Sequence, residues 1–167
     1  MMRSARAIGP TLVTAVLAVS AACAGGPGAT GGAPSNSAVA STGGTSSAGA
    51  VAATLQEWAV GTTPQSAAAG DVTFDITNVG PDDAHEFVVI RTDLSLIDLP
   101  TDETGAVDES AEGIEVVDEV EEIAVGASES LTVALDPGAY VLICNIYDED
   151  EQEAHYQEGM RTSFTVN

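Results

Sequence analysis

The chain has 167 residues, with 26 Asp plus Glu against 4 Arg and no Lys, for a formal charge of −22. So negative a surface repels the phosphates of nucleic acid, which excludes nucleic acid as a partner. The length beyond residue 53 suits one hydrophobic core and not two.

Arg3 and Arg6 precede a short apolar run over residues 8–19, too short to stay in a bilayer as a spanning helix. Ser20-Ala21-Ala22-Cys23 then reads as a processing site, so residues 1–22 are a signal peptide and take no part in the fold. The ending resembles a bacterial lipoprotein signal, in which Cys23 becomes the lipidated N-terminus. Ser20 stands where such signals usually carry an aliphatic residue, so cleavage without lipid, and secretion, stays open. Residues 23–53 are Gly, Ala, Ser, Thr, Pro and little else, with no charge, a composition that buries no core and forms a disordered, flexible linker. Once the signal is removed, all 26 acidic side chains remain against Arg91 and Arg161.

Residues 54–167 read as one all-β domain. Residues 55–60, with the only Trp, Trp58, form a candidate first strand. Val72, Phe74 and Ile76 alternate with Thr73, Asp75 and Thr77, as a half-buried strand requires. His85, Phe87 and Val89 share a parity on the next strand. The sequence allows a short helix over 108–123. Leu131, Val133 and Leu135 alternate up to the turn Asp136-Pro137-Gly138, and Tyr140, Leu142 and Cys144 share a face beyond it. Phe164 and Val166 close the last strand. The pattern predicts an antiparallel β-sandwich or Greek-key barrel.

Chemistry concentrates between Cys144 and Met160. With the signal and Cys23 set aside, the domain keeps one Cys, two His and one Met: Cys144, His85, His155 and Met160. Thiolate and thioether are soft donors and imidazole is borderline, and copper is the first-row metal that most favours the mixture. Neighbouring strands can bring His85 beside Cys144 although 58 residues separate them, and Gly159 lets the chain turn before Met160. In an oxidising compartment a thiol with no partner is a liability, and metal ligation gives Cys144 a reason to be there. A buried inert thiol is the other reading. The acidic run 148–153 lacks the turn glycine and spaced ligands of a calcium loop.

Three strings carry a family resemblance: Gly70-Asp71-Val72-Thr73-Phe74-Asp75-Ile76-Thr77-Asn78 with Ala84-His85-Glu86-Phe87-Val88-Val89, then Pro137 through Asn145, then His155-Tyr156-Gln157-Glu158-Gly159-Met160 with Phe164-Thr165-Val166. Together they resemble the cupredoxins, the plastocyanin-like blue copper proteins. The resemblance implies a cupredoxin-like Greek-key β-sandwich or barrel over 54–167 holding one type 1 copper ion. It makes His85, Cys144 and His155 the equatorial ligands and Met160 the axial one. Two features depart from the family pattern: ten residues stand between Cys144 and His155, and Glu86 follows His85 where small blue proteins often carry Asn.

The function this implies is single-electron transfer between redox partner proteins by an extracytoplasmic copper protein, in the periplasm or at the cell surface, held to the membrane by a lipid on Cys23. No catalytic constellation is present, and the chain has too few His for a second copper centre, so an enzyme is not expected. Copper binding for storage, delivery or sensing without electron traffic is the alternative, and a metal-free interaction domain a third. The acidic charge serves either solubility in a salty or alkaline habitat or steering toward a partner with a basic docking surface.

Overall fold

The structure is a computed structural model, and it describes residues 47–167. The expected signal 1–22, Cys23 and most of the expected linker lie outside the described residues. Eleven strands and one short helix follow in order: β1 (Ser47–Gln56), β2 (Ala59–Thr63), β3 (Ser66–Ala67), β4 (Gly70–Asn78), β5 (His85–Arg91), β6 (Glu115–Ile123), β7 (Ser128–Leu135), β8 (Gly138–Ile143), β9 (Tyr147–Asp148), β10 (Glu153–Ala154), α1 (His155–Glu158) and β11 (Arg161–Val166). One sheet has the order β2-β1-β4-β7, the other β3-β11-β8-β5-β6, and β9 and β10 form a separate ribbon.

The sandwich expected from the sequence is present, with a difference in strand direction. Both sheets are mixed: β1 runs parallel to β4, and β3 parallel to β11. Between β2 and β4 the chain crosses to the second sheet as β3, then returns beside β1. That crossover is what makes the β1–β4 pair parallel.

Period-2 burial builds the main core. Val72, Phe74 and Ile76 of β4, Val51, Ala53 and Leu55 of β1, and Val133 and Leu135 of β7 face Phe87, Val89, Tyr140, Leu142, Phe164 and Val166 of the other sheet. Phe74 sits at the centre, its ring 5.2 Å from Phe87 and 5.4 Å from Phe164. The central strands β5 and β8 bury their other face too. Val88, Ile90, Val141 and Ile143 pack beneath Leu99, Val107 and Tyr156. This second core explains the unbroken apolar runs Phe87–Ile90 and Tyr140–Ile143, since a strand covered on both faces has no polar side.

Three local expectations need correction. The linker expected through residue 53 ends sooner, because β1 starts at Ser47. Residues 50 to 54 alternate exposed and buried, but Ala occupies both faces and hides the period. The first strand expected over 55–60 is two strands, with Glu57 and Trp58 in the turn between β1 and β2. The helix allowed over 108–123 is absent. Turns precede β6, whose Val116, Val117 and Val120 are β-branched and suit the ladder that β5 offers.

Candidate metal centre

One end of the sandwich gathers the ligand candidates. His85 opens β5 and Cys144 follows β8 directly, on adjacent strands of one sheet. Parity turns Cys144 inward with Tyr140 and Leu142. The other two candidates sit on the excursion between β8 and β11. The β9–β10 ribbon folds that excursion back, and the His155 N–H donates to the Ile146 carbonyl at 2.9 Å, which seats α1 over the end of β8. Gly159 then reverses the chain at φ +126°, where a Cβ would stand 2.9 Å from the Trp58 carbonyl oxygen, so only glycine fits without strain. The Cys144 N–H donates to the Met160 carbonyl at 3.1 Å, tying the fourth candidate to the first through the backbone.

Side chains converge accordingly. Cys144 Sγ lies 3.3 Å from His155 Nδ1 and 3.9 Å from His85 Nδ1, and the two Nδ1 atoms are 3.3 Å apart. All three donor atoms fall within 4.8 Å of one another. Met160 is fully buried in the same core as Cys144. His85, Cys144 and His155 are buried as well, and His155 is 2% exposed.

Burial sets the protonation of these side chains. It pushes both imidazoles below their ordinary value; the neighbouring His155 adds to the shift of His85, and the carboxylates of Glu57 and Asp83 oppose it. It pushes the Cys144 thiol up to about 12, against backbone N–H donation from Glu86 and Ile146. Two neutral imidazoles and a thiol are what a cation needs to find: the lone pairs are free, and the ion's own charge expels the thiol proton. A thiolate, two imidazoles and a nearby thioether fit copper better than a hard cation, which would select oxygen donors.

The surroundings hold these groups in place. The Glu86 N–H points at Cys144 Sγ, 3.4 Å away. The Glu86 carboxylate accepts from the Asn145 N–H at 2.7 Å, bridging the residues that follow His85 and Cys144. Burial raises the Glu86 carboxyl to about 7, opposed by that N–H and assisted by Glu109, Glu119 and Glu121. Asn145 locks the outer segment as well, exchanging hydrogen bonds of 2.6 and 3.0 Å with the backbone of Val107. Trp58 stands edge-on to His155, ring centroids 5.2 Å apart.

Two neighbours of the site were out of reach of the sequence. Glu57 lies 3.6 Å from His85 Nε2. Trp58, expected on a strand, comes from the turn beside α1. Being the only Trp was its one signal. Cys23 lies outside the described residues.

No protein-family model matches the chain, and no curated protein does. Solved structures do. A dithionite-reduced auracyanin from the photosynthetic bacterium Roseiflexus castenholzii is 18% identical, over 72% of this chain and 98% of its own, with a TM-score of 0.50. Reduced rusticyanin is 16% identical over 71% and 78%, with a TM-score of 0.51. A further rusticyanin structure, described as that of a copper protein, is 14% identical over 71% and 76%, with a TM-score of 0.50. At such identities the likeness is one of fold, and it spans the described domain: residues 47–167 carry the cupredoxin β-sandwich.

Proposed function

We propose that this chain is a type 1 copper protein that carries single electrons outside the cytoplasm, with His85, Cys144 and His155 as equatorial ligands and Met160 as the axial one. One observation carries the reading: a buried thiol and two imidazole Nδ1 atoms meet within 4.8 Å at one end of a cupredoxin sandwich. The copper protein rusticyanin, on the same fold, is consistent with it.

Bound copper would supply a one-electron couple. The chain supplies the rest. Donors fixed by strand ends and a seated helix need little movement between oxidation states, so little reorganisation opposes transfer. The apolar shell excludes water, and N–H donation from Glu86 draws charge off the sulfur, a lever that tunes such centres.

The membrane and partner readings follow as parts of the same proposal. Residues 1–22 direct export, lipid on Cys23 anchors the chain, and the segment leading to β1 is the tether. Asp83, Asp148, Glu153 and Glu57 all bear electrostatically on His155. The face nearest that ligand is therefore acidic and suits a redox partner with a basic docking surface.

The test is copper loading of the exported protein. An intense visible thiolate-to-copper band with narrow copper hyperfine splitting in electron paramagnetic resonance, and a reversible one-electron wave, are expected. A colourless Cu(II) complex overturns the type 1 assignment. A blue complex with no reversible wave, which hands copper to an acceptor, moves the function to storage or delivery. Mass spectrometry of the mature N-terminus tests the anchor: an unmodified N-terminus removes it.

A further inference from the structure

Two buried atoms beside the centre lack what each could give the other. His85 Nε2 and Glu57 Oε2 have no hydrogen-bond partner among the described residues. Glu57 Oε1 is 3.6 Å from His85 Nε2, beyond hydrogen-bond length, with the two side chains 11% and 0% exposed. The carboxylate is held there on purpose-built contacts. Its Oε1 accepts the Asp82 N–H at 3.1 Å and the Asp83 N–H at 2.8 Å. The group next to Nε2 is thus anchored through Oε1, with Oε2 left without a donor.

A neutral imidazole carries one proton, and the nitrogen without it is the one that binds metal. His85 Nδ1 faces Cys144 and His155, so a ligand role requires the proton on Nε2. We propose that Glu57 is a positioning residue that accepts the Nε2–H of His85, fixing the tautomer and aiming the Nδ1 lone pair into the centre. The proposal rests on the copper reading for its purpose, and on Glu57–His85 geometry for its content. It assigns the turn between β1 and β2 a task in the metal site, although that turn belongs to the opposite sheet from His85. A carboxylate on the second nitrogen of a ligand His also makes the ring a stronger donor.

The test uses the full chain, first without metal. Two-bond proton–nitrogen correlations report the His85 tautomer directly. Nε2–H alone is expected in the parent chain and in Glu57→Gln, whose amide oxygen still accepts. In Glu57→Ala both tautomers should appear. Copper competition titrations should then show Glu57→Ala weaker by about 10- to 100-fold, with Glu57→Gln between it and the parent. The reduction potential should rise in both variants, because a negative charge beside the ring is lost. An Nδ1–H tautomer in the metal-free parent overturns the proposal. So does a Glu57→Gln variant together with Glu57→Ala at parental affinity and potential. If Glu57→Ala fails to fold, the parent tautomer and the Glu57→Gln potential still decide. A parent chain that takes up no copper overturns the electron-carrier reading instead, and leaves the tautomer result standing.

Discussion

The proposed metal centre has two halves built by different means. His85 and Cys144 stand at the ends of β5 and β8, where a hydrogen-bonded ladder fixes which way each residue points. His155 and Met160 ride on an excursion with only four helical residues and a two-residue ribbon of its own. That half is held by individual contacts. The Met160 N–H donates to the His155 carbonyl at 3.0 Å, Tyr156 donates to the Leu96 carbonyl at 2.9 Å, and the Arg161 guanidinium lies 4.8 Å over the Tyr156 ring. The difference teaches where such a site tolerates change. The strand half depends on parity, which a one-residue slip destroys. The loop half accepts a ten-residue spacer, provided that its return is pinned.

The largest effect tests the strand half. Cys144→Ser keeps the shape and parity of the residue but removes the soft donor. The intense visible band should vanish, and copper affinity should fall by more than the roughly 100-fold a supporting residue costs. Absorption spectroscopy with a metal count checks both. A variant that stays coloured puts the thiolate elsewhere and breaks the comparison.

Gly159→Ala tests the pin of the loop half. The new Cβ must accept φ +126° and a 2.9 Å approach to the Trp58 carbonyl oxygen. Thermal unfolding of the metal-free chain should show a loss of about 1–3 kcal/mol, and the copper spectrum should shift as Met160 is displaced. An unchanged spectrum with lowered stability would mean that Met160 is held by β11 and not by the turn. Met160→Leu asks a narrower question. It conserves volume, so stability should change by less than about 1.5 kcal/mol. The colour should survive, and the potential should rise, because losing the thioether favours the reduced ion. A fall in potential would remove Met160 from the ligand set.

The same two halves differ in how well the sequence announces them. On the strand side, Phe74, Phe87, Leu142 and Cys144 occupy the faces that alternation assigns them, because burial in a sheet repeats every second residue. The unbroken runs in β5 and β8 also carried information, namely that both faces are covered, but not what covers them. The cover is residues 92–114 with Tyr156, joined to the site by Asn145, and no local pattern foretells a packing partner tens of residues away. The loop side left only residue types to read. His155 lies in one turn of helix, too short to show a period. Glu57 reaches His85 from the other sheet, a contact that only the β1–β4 crossover creates. β1 itself stayed hidden where Ala sits both inside and outside.

The smallest effect concerns the acid that flanks the strand half. Glu119 lies on β6 opposite Val88 of β5. Burial, then the carboxylates of Glu109, Glu121 and Asp118, raise its carboxyl above the ordinary 4.5. A carboxyl that holds its proton more tightly when folded favours the folded state at low pH. That advantage is lost as pH climbs from the unfolded value through the folded one. Glu119→Gln mimics the protonated form, so it should match the parent below about pH 4 and exceed it at pH 7. The side chain is exposed and water screens it, so the gain should not pass about 0.5 kcal/mol. Molar salt, with a screening length of about 3 Å, should erase most of it. Denaturant midpoints at both pH values and both salt levels check this. A gain that survives salt would mean that packing, not repulsion, sets the effect, and that the charge beside the strand half costs the fold nothing.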